Sequence, residues 1–267
     1  MTTDLTSWTL EQFTAYALML TRVSVIFLSA PVLGNTRIPM QVKIALSMVI
    51  TLLLYLSLRD GQLARPAPAN IFALASAAAG EVFVGLLLGY SAYLLFSGIQ
   101  MAGQIVDIQV GFGLVNVLDP AGGRTVSILG QFYYVVAMLF FLAINGHHML
   151  IKALGDSFQL LPVGTVGWFD KAAQAGPLLG EFFSKLFIIA FQVAAPSIAV
   201  LFLTNLSMGL LSRTLPQMNV FIVGMPMNVI IGLMVTILSL KILGTVLTSV
   251  VGQLGSSAYK LLHALAT

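Results

Sequence analysis

The sequence contains no cysteine and very few charged residues. The lack of cysteine excludes disulfides, thiolate chemistry and cysteine-ligated metal sites. Charged residues make up 8% of the chain, whereas an average soluble domain has about 25%. Since 58% of the 267 residues are hydrophobic, a soluble fold would expose an implausibly apolar surface. The composition therefore indicates an integral membrane protein.

The few charges are scattered singly, with 12 Lys and Arg against 9 Asp and Glu. No basic run or aromatic-basic stripe indicates nucleic acid, so we expect no nucleic-acid partner. The N-terminal stretch MTTDLTSWTLEQF has no Lys or Arg before Arg22, whereas a secretory signal begins with a basic region. We therefore expect no signal cleavage, and the first apolar segment stays in the mature protein.

Long charge-poor intervals predict about six membrane-crossing helices, each needing roughly 20 apolar residues. Their approximate bounds are 13–30, 44–58, 71 onward, 126–144, 187–206 and 227–250. The predicted fold class is therefore an all-α integral membrane protein. The third helix is unusual, because its apolar pattern continues from 71 to about 110. At ~60 Å it is twice as long as the hydrocarbon core is thick, so it must break, tilt strongly or project from the bilayer within a complex.

Two faces of small or polar residues follow one another along this third helix. Glu81, Gly85 and Gly89 lie at i, i+4 and i+8 and predict a helix-packing face. A second face at helical spacing comprises Gln100, Gly103, Gln104, Asp107 and Gly111. Such faces meet another helix or water rather than lipid.

The acids Glu81 and Asp107 are costly at membrane depth, at roughly 2.5–3.5 kcal/mol for an aspartate at the centre of an isolated helix. One interpretation of Asp107 is a proton relay. The structural interpretation gives each acid a buried partner, such as an arginine of a neighbouring subunit or a hydrogen-bonded glutamine, or a position outside the bilayer. We favour the structural interpretation for both acids.

The stretch GFGLVNVLDPAGG follows the long helix and has the composition of a loop. Its glycines permit positive φ, and its Asp-Pro step favours a turn. A flexible apolar loop on a polar-faced helix fits a pore plug, which seals by packing and opens by bending; an ordinary connecting loop is the alternative. The predicted plug residues are Gly111, Phe112, Gly113, Leu114, Val115, Asn116, Val117, Leu118, Asp119, Pro120, Gly122 and Gly123.

No motif for catalysis or cofactor binding is present. GFGLVN superficially resembles a dinucleotide-binding loop, but Asn116 replaces the third glycine, and AGGRT lacks the lysine and spacing of a P-loop. His147 and His148 would need further metal ligands, and the only other histidine is His263. We therefore expect interface histidines, no metal or other cofactor, and no enzymatic activity.

Four separated stretches resemble the FliR family of flagellar export-gate membrane proteins, whose relatives in virulence type III secretion are the SctT proteins. The stretches are RVSVIFLSAPVLGNTRIP, GEVFVGLLLGYSAYLLFSGIQMAGQIVDIQVGFGLVNVLDP, INGHHMLIKALGDSFQLLPVG and LLSRTLPQMNVFIVGMPMNVIIG. They occur in the expected order and span about 22–250. The chain is identified by this resemblance as a member of that family.

The resemblance implies one helical membrane domain over 1–267, with a FliP-like part at 1–180 and a FliQ-like helix pair at 181–267. It implies partners as well: several copies each of FliP and FliQ, with FlhB and FlhA nearby, in the bacterial inner membrane at the flagellar basal body. Unfolded export substrates would pass through this assembly, and membrane lipid would surround part of it. The family's pore loop corresponds to 111–123, and the residues that would face or support the lumen are Gln100, Gln104, Asp107 and Gln109.

Three functions remain at this point. The first is a non-enzymatic subunit that helps to form and close the export conduit. The second is a proton-coupled secondary transporter for a small solute, which six spans and an intramembrane acid allow. Against it, the charges do not converge in two symmetric broken helices, the pattern expected of inverted repeats. The third is a purely structural membrane scaffold.

Overall fold

The computed structural model describes residues 2–31, 33–35, 38–58, 70–113, 127–164, 168–215, 217 and 219–266. Within these ranges the chain forms seven α-helices and no β-strand, which confirms the all-α class. In chain order the helices are α1 (Thr2–Ser29), α2 (Met40–Ser57), α3 (Ile71–Val110), α4 (Ile128–Ala143), α5 (Gly146–Leu160), α6 (Trp168–Thr214) and α7 (Val220–Ala266).

Five of the described helices are long and apolar enough to cross a membrane, namely α1, α2, α3, α6 and α7. The shorter helices α4 and α5 are bent by 69° at the break between them and count as a sixth span if taken together. The predicted number of about six spans agrees with these five or six, although the predicted fourth span, 126–144, corresponds to α4, which counts as a span only together with α5. Outward-facing side chains are largely apolar; Leu56, Phe72 and Leu238, for example, are 71%, 82% and 73% exposed. Such surfaces suit lipid or protein neighbours rather than water.

Helix α3 is one continuous helix of 40 residues, as its sequence pattern predicts. Because the helix is continuous, a break is excluded. At ~60 Å it must therefore tilt strongly in a bilayer or extend beyond the hydrocarbon core. Helices α6 and α7 contain 47 residues each and are much longer than the spans predicted from hydropathy. Hydropathy detects the part that suits lipid, whereas helical hydrogen bonding continues through polar residues such as Glu181 and Lys185.

Helix α5 was not predicted as a separate element. The chain turns at Asn145, whose φ of 58° lies in the left-handed region that asparagine tolerates better than most residues. His147 and His148, which are predicted to be interface histidines, lie in the first turn of α5. The rings of His147 and His148 are 4.2 Å apart, centroid to centroid.

The helices contribute to two compact units, each discontinuous in sequence. The first unit comprises Met1–Leu94, Asn145–Phe182 and Gly252–Thr267, and the second comprises Leu95–Ile144 and Phe183–Val251. Buried apolar side chains fill each core: Met19, Val23 and Val84 in the first unit; Ile99, Phe141, Leu201 and Leu243 in the second. Each core also encloses one acid of α3, Glu81 in the first unit and Asp107 in the second.

Candidate functional site on the long helix

Glu81 forms a fully buried ion pair with Arg22 of α1 in the first unit. Arg22 Nε donates to Glu81 Oε2 at 2.6 Å, and neither side chain is exposed to solvent. Glu81 Oε1 accepts a second hydrogen bond, at 2.9 Å, from the backbone N–H of Gly164. The partner of this acid is therefore an arginine of the same chain, which the sequence analysis did not consider. A single arginine inside the first apolar segment is the signal that could have identified it.

The remaining donors of Arg22 cap the C-terminal end of α5. One terminal nitrogen donates to both the carbonyl and the hydroxyl oxygen of Ser157, each at 3.1 Å, and the other donates to the carbonyl of Leu161 at 3.1 Å. The guanidinium carbon lies 4.4 Å from the centroid of the Phe158 ring. The carbonyl of Ser157 also accepts the N–H of Leu161 at 2.9 Å. Because the carbonyls at the C-terminal end of a helix carry partial negative charge, a cation here is favourable. Arg22 thus connects α1, α3 and α5.

The two glycines that follow Glu81 at helical spacing lie against α1. A Cβ atom at Gly85 would be 2.9 Å from the carbonyl oxygen of Arg22, and one at Gly89 would overlap the side chain of Ser29. Contacts this close need the absence of a side chain. The face formed by Glu81, Gly85 and Gly89 therefore lets α3 approach α1 closely enough for the buried ion pair to form.

Asp107 binds the first turn of α4 in the second unit. Its Oδ2 accepts a hydrogen bond from the hydroxyl of Ser127, and its Oδ1 accepts one from the backbone N–H of Leu129 at 3.1 Å. Ser127 is itself the N-cap of α4, because its Oγ accepts from the N–H of Gly130 at 2.8 Å. The carboxylate thus lies at the positive end of the helix dipole and satisfies an otherwise unpaired N–H group. These contacts favour the structural interpretation of Asp107.

The helix backbones are in close contact beside this capping group. A Cβ atom at Gly103 would lie 2.5 Å from Cα and 2.6 Å from N of Gly130. The predicted polar face of α3 is consequently not uniform: Gly103 and Asp107 are buried, Gln100 is half-buried and Gln104 is exposed. Gln109 is half-buried on a different side of the helix.

Only the beginning of the predicted plug lies within the described residues. Helix α3 ends at Val110, and Gly111 follows with a φ of 100°, a conformation that glycine adopts readily. The N–H of Gly111 donates to the carbonyl of Asp107 at 3.1 Å. Gly111, Phe112 and Gly113 form a half-buried turn. The predicted plug residues from Leu114 to Gly123 lie outside the described residues.

Two further polar contacts in the second unit were missed by the sequence analysis. The hydroxyl of Tyr133 on α4 bonds that of Ser239 on α7, and Asn228 Nδ2 on α7 donates to Asn205 Oδ1 on α6 at 2.8 Å. Single polar residues in otherwise apolar helices commonly bond across helix interfaces. Their isolation in apolar sequence is the signal that could have identified them.

Comparison with known proteins identifies the family to which the chain belongs. A model of the family "Bacterial export proteins, family 1" matches residues 13–254. The flagellar biosynthetic protein FliR of Bacillus subtilis strain 168 is 32% identical over 241 residues, which is 90% of this chain and 92% of that protein. The protein of the same name from Escherichia coli strain K12 is 32% identical over 214 residues, covering 80% and 79% of the two chains. That of Caulobacter vibrioides is 27% identical over 226 residues, covering 84% and 88%. No finding supports the small-solute transporter alternative. The protein is therefore a membrane-spanning member of the FliR family of bacterial export proteins.

Proposed function

We propose that this protein is a non-enzymatic subunit of the flagellar protein-export gate, which helps to form and close the conduit for unfolded flagellar subunits. The observation that carries the proposal is the family match over residues 13–254, together with relatives named flagellar biosynthetic protein FliR. The same names support a role in the flagellar export system rather than in a virulence secretion system. The protein would act in the bacterial inner membrane at the flagellar basal body.

The proposed partners are several copies each of FliP and FliQ, with FlhB and FlhA nearby. Residues 1–180 would form the FliP-like part and residues 181–267 the FliQ-like helix pair. The two helices of 47 residues, α6 and α7, support such a pair. Their outward side chains, including Phe191, Phe202 and Leu238, are apolar and exposed, and would be covered by neighbouring subunits or lipid. Stable copurification with FliP and FliQ would support this assignment. Failure to copurify from membranes that contain all three proteins would contradict it.

Within the gate, we assign closure to the segment 111–123. The left-handed turn at Gly111 and the half-buried Phe112 and Gly113 are compatible with an apolar segment that begins at a flexible hinge. A plug must exclude ions and small molecules when idle and yield to a polypeptide. A segment with a closed and an open arrangement meets both requirements if apolar contacts of a few kcal/mol hold it closed and a passing polypeptide can displace it.

The polar residues that precede the segment are proposed to face or support the lumen. Gln104 is exposed in the isolated chain, so it is available to a wet conduit. Gln100 and Gln109 are half-buried. Asp107 is buried against α4, so we assign it the supporting role rather than direct exposure to the lumen.

Deletion of residues 111–122 tests the plug assignment. We expect the assembled, idle gate to leak ions or a small dye much faster than the unmodified gate, because the closing segment is gone. The measurement is leakage in liposomes that contain the purified complex, normalised to the amount of FliP and FliQ that copurifies.

A matched control replaces the connecting segment 59–69 with a Gly/Ser linker of equal length, and it should leave leakage unchanged. A second plug variant, in which 111–122 becomes a Gly/Ser linker of equal length, separates loss of the plug from shortening of the chain. Unchanged leakage in both plug variants, with the gate assembled, removes the plug assignment.

A further inference from the structure

We propose that the wall of the conduit includes α4 as well as α3, and that Gln104 and Gln131 bond the main chain of the polypeptide in transit. This assignment rests on the proposed function, because it names the surface of the chain that an exported polypeptide would meet. It adds Gln131 to the lining residues expected from the sequence, and it gives the glutamines a chemical role.

Helices α3 and α4 run antiparallel in the second unit. Near the end of α3, Asp107 accepts the N–H of Leu129, which lies near the start of α4. Further back along α3, the ring of Phe96 lies 5.3 Å, centroid to centroid, from the ring of Phe141 near the end of α4. Residues earlier in α3 therefore contact residues later in α4. The two glycines at which the helix backbones touch lie between these points.

The residue after each of these glycines lies on the same side of the helix pair. Gln104 follows Gly103, and Gln131 follows Gly130. Each step turns the side chain by about 100° around its helix axis. Because the helices run in opposite directions and face each other at the glycines, both turns lead to the same side, where both glutamines are exposed. Gln100, four residues before Gln104, is half-buried on that side. We call these three glutamines the amide surface.

The opposite side of the helix pair is covered by the two long helices of the same unit. On α3, a Cβ atom at Gly98 would be 2.7 Å from the carbonyl oxygen of Leu186 on α6. On α4, the hydroxyl of Tyr133 bonds that of Ser239 on α7. By the same helical rotation, Gly98 and Tyr133 lie away from the amide surface. The amide surface is therefore the side of the pair that α6 and α7 leave uncovered.

The chemistry of the amide surface is polar and uncharged. Each glutamine amide offers two N–H donors and a carbonyl acceptor. Among the described residues, none of the three side chains has a hydrogen-bond partner. Amide groups without partners are costly against lipid chains, so this surface meets water or a polar partner.

An extended polypeptide fits this surface better than a neighbouring helix does. An unfolded chain presents unpaired N–H and C=O groups at every residue except proline, whereas a helix has already bonded most of its own. Glutamine both donates and accepts, so it can bond main chain whatever the side chains of the polypeptide are.

The lack of charge on the surface agrees with such a partner. Within the second unit, Asp107 is the one charged residue in the described parts of α3 and α4, and its carboxylate is bonded to the first turn of α4. A charged wall would retain segments of one sign and repel those of the other. A neutral amide wall treats acidic and basic segments alike, as a conduit for polypeptides of varied sequence requires.

Site-specific photocrosslinking tests the position of the surface in the assembled gate. The photocrosslinking amino acid p-benzoylphenylalanine replaces Gln104 or Gln131 in the full chain, and an export substrate fused to a stably folded C-terminal domain is arrested in the conduit. We expect both positions to crosslink to the arrested polypeptide. The matched controls are Phe132 and Leu139, which are 42% and 63% exposed on the side of α4 that faces away from α3, and these should crosslink to neighbouring subunits only.

Export rates of substitution variants test the hydrogen bonds, with assembly verified by copurification with FliP and FliQ. Gln104→Leu with Gln131→Leu keeps the side-chain size and should slow export by about fivefold, as expected for the loss of roughly one net hydrogen bond. Gln104→Asn with Gln131→Asn keeps the amides and should recover much of that rate. Gln131→Lys should slow a substrate rich in acidic residues more than one rich in basic residues, because the added cation retains acidic segments.

Crosslinking of the arrested polypeptide at Gln104 but not at Gln131 overturns the inference and leaves the proposed function standing. Crosslinking of both positions to a neighbouring subunit, with none to the polypeptide, also overturns it, because the surface is then a subunit interface. Unchanged export by the double leucine variant overturns the main-chain bonding. If export continues at the normal rate in cells that lack this protein, the proposed function fails, and the inference fails with it.

Discussion

Replacement of Arg22 with alanine is expected to destabilise the protein by about 3–5 kcal/mol, the cost of leaving a buried charge without its partner. Glu81 would remain in a site with no solvent exposure, and among the described residues the N–H of Gly164 would be its one remaining hydrogen-bond donor. The carbonyl of Leu161 would lose its arginine donor at the same time, whereas that of Ser157 would keep the N–H of Leu161. Because one side chain serves α1, α3 and α5, its loss should affect the whole first unit.

Thermal unfolding in detergent and the amount of protein in the membrane measure this effect. Arg213→Ala is the matched control, since Arg213 is an exposed arginine in the last turn of α6 and its loss should change stability little. Arg22→Lys should be intermediate, because an ammonium can pair with Glu81 but lacks the planar fork that reaches the α5 carbonyls. A melting temperature for Arg22→Ala equal to that of Arg213→Ala would contradict the prediction.

The double variant Arg22→Met with Glu81→Leu distinguishes the cost of an unpaired buried charge from the cost of lost side-chain volume. Replacement of both members of a buried ion pair by apolar residues is often far less harmful than removal of one. We therefore expect the double variant to recover part of the stability lost in Arg22→Ala. Recovery should be incomplete, since Gly164 and the end of α5 still lose their hydrogen-bond partners.

Replacement of Gly103 with valine is expected to separate α3 from α4 and to cost about 1–3 kcal/mol or more, as overpacking of a close contact does. The atoms that its Cβ would meet, 2.5–2.6 Å away, belong to the backbone of Leu129 and Gly130, so no side-chain rotation relieves the overlap. Separation of the backbones would also remove the first turn of α4 from the reach of Asp107. Unlike Arg22→Ala, this change acts in the second unit, at the contact between α3 and α4.

Gly209→Ala is the matched control for this variant. Gly209 lies within α6 in the same unit, and a Cβ atom there has no neighbour within 4 Å. Since alanine favours the helix over glycine, Gly209→Ala should leave stability unchanged or raise it by about 0.5–1 kcal/mol. The measurements are the melting temperature of the purified complex and its idle leak rate. If Gly103→Val has the same melting temperature and leak rate as Gly209→Ala, the contact between α3 and α4 is not tight and the prediction is wrong.

Both acids of α3 interact with the end of a short helix, one through an arginine and the other directly. Glu81 pairs with the arginine that caps the C-terminal end of α5, and Asp107 caps the N-terminal end of α4. The signs agree with the helix dipole, since the cation lies at a C-terminus and the anion at an N-terminus. Buried charge in this protein therefore connects the short helices α4 and α5 to the long helix α3, one in each unit.

Much of this arrangement follows from local sequence pattern. Composition and charge-free intervals identify a helical membrane protein, and sustained apolar periodicity predicts the full length of α3. The spacing of Glu81, Gly85 and Gly89 predicts a face that meets another helix, because residues four apart share one side. The loop composition after Val110 predicts the end of α3, where the structure has a positive φ at Gly111.

Tertiary structure alone decided the partners of these residues. Arg22 and Glu81 are 59 positions apart, and Arg22 and Leu161 are 139 apart. No local periodicity encodes which arginine meets which acid, because that depends on the relative register of helices that pack through nonpolar contacts. The same holds for Asp107, whose partners follow from the close approach of Gly103 to Gly130. Helices and their faces are properties of neighbouring residues, whereas the pairing of faces is a property of the packed chain.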